Sequence, residues 1–138
     1  MRFMMIVHSD EETESGALPD EALFTAMDQY NEALHQAGVL LAAEGLQPSG
    51  KGARIVFSGD ERTVTEGPFP DADKLIAGFW ILNVASREEA IEWARRVPFD
   101  SGEIELRQIY ELADFPEELR EADAAQHEQQ ARSELRAP

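Results

Sequence analysis

TEGPFPDADKLIAGFWILNVASREEAIEWARRVP, residues Thr65–Pro98, is the stretch whose reading decides the fold. Gly67-Pro68 marks a sharp turn, and Pro70 to Lys74 continues it as a polar loop. Gly78 to Ala85 is a nearly unbroken apolar run, the pattern of a strand covered on both faces. Ser86 and Glu89 then stand at capping-box spacing. Ala90, Trp93, Ala94 and Val97 follow at i, i+3, i+4 and i+7, one face of a helix that Pro98 ends. A turn, a buried strand and a packed helix in this order describe a layered α+β domain.

Upstream, Arg2 to His8 reads as a central strand, and the acidic Ser9 to Gly16 as a loop. Pro19 and Asp20 open a helix with Leu23, Met27, Tyr30 and Leu34 on one face, and Gly38 closes it. Val39 to Leu46 reads as a strand, with Leu40, Ala42, Glu44 and Leu46 on one face. Pro48 to Gly52 is a loop, and Ala53 to Ser58 with Arg62 to Thr65 makes a hairpin about Gly59-Asp60-Glu61. Downstream, Glu103 to Leu112 alternates, with Ile104 and Leu106 on one face and Glu105 and Arg107 on the other. Pro116 begins a last helical segment that is polar nearly all round, so residues 1–112 read as the domain and 113–138 as a helical, acidic tail. The order strand, helix, strand, hairpin, strand, helix, strand fits a ferredoxin-like split βαβ plan with an inserted hairpin. Strands apolar on both sides need cover on the face the helices leave open, and a second subunit is the natural cover.

The chain has 138 residues, no cysteine, and 28 acids against 12 bases, a formal charge of −16. Disulfides, thiol catalysis and thiolate metal sites are excluded. Such charge disfavours nucleic acid and anionic membranes as partners, and no apolar run approaches the ~20 residues of a membrane span. A cytoplasmic location is the expectation. His8, His35 and His127 show no ligand spacing, so no metal site is expected; no phosphate loop or dinucleotide fingerprint appears, and no cofactor is expected.

Five residues are candidates for chemistry. His8, ending the first strand, suits a general base at neutral pH; the plainer reading is a strand-end His bonded to a loop. Glu44, in phase with apolar neighbours, would be an acid or base if buried, or the partner of an arginine. Glu66 is a third carboxylate, or the cap of its turn. Arg107 would hold an anionic substrate, or pair with Glu105 or Glu44. Lys74 would close over a ligand from its loop, or stay solvated.

Glu66-Gly67-Pro68-Phe69, Lys74, Gly78-Phe79, Glu92-Trp93-Ala94 and Pro98, with Glu44-Gly45-Leu46 and Glu105-Leu106-Arg107, resemble the DGPF-domain proteins of the YCII-related superfamily, over about residues 1 to 112. The resemblance implies a dimeric α/β barrel of ferredoxin-like subunits. It leaves two readings of function. One is a small-molecule enzyme of lyase, isomerase or hydrolase type acting on a small anionic ligand. The other is a noncatalytic module bound to a regulatory protein of the sigma-factor kind. Two departures matter: Glu66 stands where the family has Asp, and Met27 and Val97 stand where the wider superfamily has a proposed His/Asp catalytic pair.

Overall fold

The computed structural model describes residues 1–136. Six strands form, β1 (Arg2–His8), β2 (Leu40–Gly45), β3 (Ala53–Ser58), β4 (Glu61–Glu66), β5 (Ile76–Asn83) and β6 (Ile104–Gln108). Four α-helices accompany them, α1 (Glu11–Glu14), α2 (Glu21–Gln36), α3 (Arg87–Arg95) and α4 (Glu117–Leu135). Four strands make one antiparallel sheet in the order β2-β5-β1-β6, and β3 and β4 make a separate two-stranded hairpin. This mixed α+β arrangement is consistent with the expected split βαβ plan. The sheet is open, with β2 and β6 as its edges.

The helices start where their sequences dictate. Asp20 accepts the Leu23 N–H at 2.8 Å and Ser86 accepts the Glu89 N–H at 3.1 Å, each satisfying a donor that the first helical turn leaves free. Glu89 reaches back to the Ala85 N–H at 2.9 Å. Ser86→Ala is expected to lower stability by about 1 kcal/mol, read as a shift in the urea midpoint.

The acidic segment after β1 departs from expectation. Charge repulsion alone predicts a loop, yet Asp10 caps a single helical turn by accepting the Thr13 N–H at 2.7 Å. That bond holds the Asp10 carboxyl below its usual range. Acids at a helix N-terminus complement the free N–H groups, which outweighs their mutual repulsion here.

Helices α2 and α3 cover one face of the sheet. Phe3, Met5, Trp80 and Leu82 from the strands meet Tyr30, Leu34, Ala90 and Val97 in a buried core. The Tyr30 ring lies edge-on to Trp80 at 5.6 Å, and its hydroxyl donates to the Trp93 carbonyl at 2.7 Å. Burial pushes that phenol up to about 12. Trp80 donates its indole N–H to Asn31 Oδ1 at 2.7 Å, so the buried polar atoms of both aromatics are paired.

A second departure concerns β2. Its pairing with β5 slips by one residue between Leu40 and Ala42. Leu40 therefore stands opposite Leu82 and Ala43 opposite Trp80, both towards the helices, while Ala42 and Glu44 turn to the other face. Strict alternation, which grouped Leu40 with Glu44, breaks at this bulge.

Candidate functional site

The sheet face away from the helices is built in registered rows. One row runs Ala42, Ile81, Met4, Arg107 across β2, β5, β1 and β6; the next runs Glu44, Phe79, Ile6, Glu105. Met4, Ile6, Phe79 and Ile81 are half-buried, against the full burial of Met5, Trp80 and Leu82 behind them. The apolar run of β5 predicts cover on both faces. Within one chain the helices cover only one.

His8 lies at the end of this face, beside β6. Its Nε2 is 3.2 Å from Glu105 Oε1, and Arg107 Nη1 donates to Glu105 Oε2 at 3.0 Å. Glu105 thus stands between an imidazole and a guanidinium. The Arg107 bond, then the His8 bond, holds its carboxyl below the usual carboxylate range. Because Glu105 is ionised at neutral pH, it accepts from Nε2–H, which leaves His8 Nδ1 as the proton-accepting nitrogen.

A carboxylate whose folded pKa lies below its unfolded one adds stability above the unfolded value and loses it as pH falls through the folded value. In a carboxyl-carbon NMR titration, Glu105 is expected to protonate at lower pH than a free glutamate. Arg107→Ala should move that midpoint upward. A Glu105 midpoint unmoved by Arg107→Ala would contradict the assigned cause.

The remaining candidates lie elsewhere. Glu44 is exposed, not buried among apolar residues, and three strand spacings separate its row position from Glu105, roughly 14 Å. It therefore does not meet His8. Glu66 ends β4 opposite Ala53 and is exposed. Its turn is capped by Ser49 instead: Ser49 Oγ accepts the Phe69 N–H at 2.9 Å, while the Glu14 carboxylate accepts from the Ser49 N–H at 3.0 Å and from the Ser49 hydroxyl. Lys74 is exposed in a 3-10 turn (Ala72–Lys74) at the His8 end of the sheet, where the Ser9 N–H bonds the Leu75 carbonyl. Two shallow hollows lie between α3 and β6, lined by Ala94, Val97, Phe99 and Ile104, and along α2 from Asp20 to Gln29.

Glu105 is the residue that sequence reasoning placed only as a neighbour of Arg107. Alternation put both on one face of β6. The missing information was the β1–β6 register, Ile6 opposite Glu105, which sets His8 one diagonal step away.

A family model described as the YCII-related domain matches residues 1–113. The chain belongs to the YCII-related domain family. An uncharacterised protein of Rhizobium meliloti (strain 1021) is 27% identical over 97 residues, 69% of this chain and 78% of that protein. Among solved structures, 5-chloro-2-hydroxyhydroquinone dehydrochlorinase from Burkholderia phenoliruptrix AC1100, in complex with 2,5-dihydroxybenzoquinone, matches with a TM-score of 0.40 at 12% identity, over 80% of this chain and 94% of that one. A likeness at that level carries nothing about chemistry. In this YCII-related domain the two positions implied for a His/Asp pair hold apolar side chains: Met27 packs against the core and Val97 is buried in it. Among the described residues no helix is long and apolar enough to cross a membrane.

Proposed function

We propose that this YCII-related domain binds a small anionic molecule on the uncovered sheet face and transfers a proton there, in a homodimer whose two sheets face one another as a barrel. The supporting observation is the His8–Glu105–Arg107 chain at the β6 border of a surface whose centre is apolar. Met4, Ile6, Phe79 and Ile81 offer a flat apolar platform for a ring or short chain. Arg107 is largely exposed and uses one Nη on Glu105, so its other N–H groups remain for a carboxylate or similar anion. His8 takes or returns the proton at Nδ1, and Glu105 stabilises the imidazolium that results. This is the division of labour of a lyase, isomerase or hydrolase step that needs one base and no covalent intermediate. A cytoplasmic setting accords with a chain that uses no cysteine.

Benzoate, an apolar ring with one carboxylate, is a suitable probe. In a ¹H–¹⁵N titration of the full chain, the amides of Met4–His8, Phe79–Ile81 and Glu105–Arg107 should shift together. Arg107→Gln should weaken binding at least fivefold, and Arg95→Gln, on α3, should not. Shifts confined to the α2 or α3–β6 hollows would overturn this site.

A noncatalytic module is a second reading, favoured by one observation: α4 is exposed along nearly its whole length. Unchanged recovery of a protein partner by a chain lacking residues 117–138 would remove α4 as the contact.

A further inference from the structure

The β3–β4 hairpin stands apart from the rest of the chain. Every residue of both strands is exposed, including Ile55 at 50%, Phe57 at 68% and Val64 at 60%. Register puts these three on one face: Ile55 is opposite Val64 and Phe57 opposite Arg62. Arg62 lies over the Phe57 ring at 4.6 Å. The Gly67 N–H bonds the Gly52 carbonyl at 2.9 Å as a further rung of the hairpin, Arg54 lies over Phe69 at 3.9 Å, and the tie to the body is at the root, where Glu14 accepts the Ser49 N–H at 3.0 Å. A lone two-stranded hairpin is marginal in water, because it has no layer to bury its apolar side against. Yet this one has a well-formed two-residue turn, with Gly59 at a φ of 59°, and a full six-pair register.

Total area points to what covers it. The chain exposes 10446 Å². A compact monomer of 15.4 kDa exposes about 7,200 Å², so roughly 3,000 Å² is in excess. Exposed α4 accounts for part of that and the hairpin for part. A stable interface takes about 800 Å² from each partner, well within the excess. The same chain has a second uncovered apolar surface, the Met4–Ile6–Phe79–Ile81 face, with acids Glu103 and Glu105 at its β6 border. At the tip of the hairpin face Arg62, whose Nη1 also donates to the Gly59 and Glu61 carbonyls, complements those acids, while Glu66 on the same face lies at the root.

We infer that the β3–β4 hairpin is an arm that packs its Ile55–Phe57–Val64 face on a second copy of this chain, against the β6 border of that copy's uncovered sheet face, where it walls the His8–Glu105 site. The inference rests on the sheet-face site and the homodimer proposed above. Each site is then incomplete in one chain and finished by the arm of the other. The arm also explains why an apolar hairpin survives on a chain of such high charge: it is covered in the dimer.

Two measurements on the full chain test this. In sedimentation equilibrium the native chain should be dimeric at micromolar concentration, and Phe57→Ser should raise the dissociation constant at least tenfold. Phe57 is mostly exposed in one chain, so the monomer fold should survive this change. In a mixture of labelled and unlabelled chains, isotope-filtered NOEs should connect the Phe57 ring of one copy to Met4, Ile6, Glu105 or Arg107 of the other. A monomeric native chain overturns both the dimer and the arm. A dimer whose dissociation ignores Phe57→Ser, or whose Phe57 contacts are absent or lie only on the other arm, overturns the arm alone. Failure of benzoate to bind, with the Phe57 effects present, overturns the ligand reading and leaves the arm standing.

Discussion

Gly67→Ala is expected to cost roughly 3 kcal/mol of stability, the upper end for forcing one carbon into a packed site. A Cβ on Gly67 would stand 1.7 Å from the Ser49 carbonyl oxygen and 2.6 Å from its carbon. Both are backbone atoms, so no side-chain rotation relieves the contact. Ser49 is itself pinned, because Glu14 binds its N–H and hydroxyl while its Oγ holds the Phe69 N–H. Pushing Ser49 away therefore breaks the junction of three loops and frees the root of the hairpin. Urea unfolding should show a lower midpoint, and hydrogen exchange should quicken at Phe69 and Ser49. A native-like midpoint would mean that the turn relaxes in some other way.

Trp80→Ala is expected to be larger still, about 4 kcal/mol, as for other large aromatics cut to alanine in a core. Trp80 is 4% exposed, lies at the centre of β5 and touches Tyr30 and Phe99 with its ring. For a domain of this size that is a large share of a total of about 5–15 kcal/mol. Trp80→Phe separates packing from hydrogen bonding. It keeps most of the apolar volume but leaves Asn31 Oδ1 without its donor, a loss of about 1–3 kcal/mol. A double change, Trp80→Phe with Asn31→Leu, should recover part of that loss. If Trp80→Ala unfolds at the native midpoint, the residue is a surface platform and not a core anchor.

The elements of the domain were legible because local rules and tertiary packing agree. Ser86 with Glu89 caps α3, Gly38 with a φ of 72° follows α2, and Leu23 to Leu34 marks the face α2 buries. The α1 turn was missed because charge repulsion was weighed and the Asp10 cap was not. Glu44 was misplaced because alternation assumes an unbroken ladder, and β2 has one extra residue. The site was legible only in pieces. His8 and Arg107 were named from their own chemistry. Their common partner depends on which strand lies beside β1, and that is set by topology across about a hundred residues, beyond any local pattern.

The bulge at Leu41 makes neighbouring alanines unequal. Ala43 stands opposite Trp80 on the face towards the helices, whereas Ala42 stands opposite Ile81 on the uncovered face. Two adjacent codons thus answer to different masters: one faces the core, and the other faces the surface proposed to hold the ligand. Position 42 is where an evolving lineage, or an engineer, can enlarge a side chain and reshape what this surface accepts without reopening the fold.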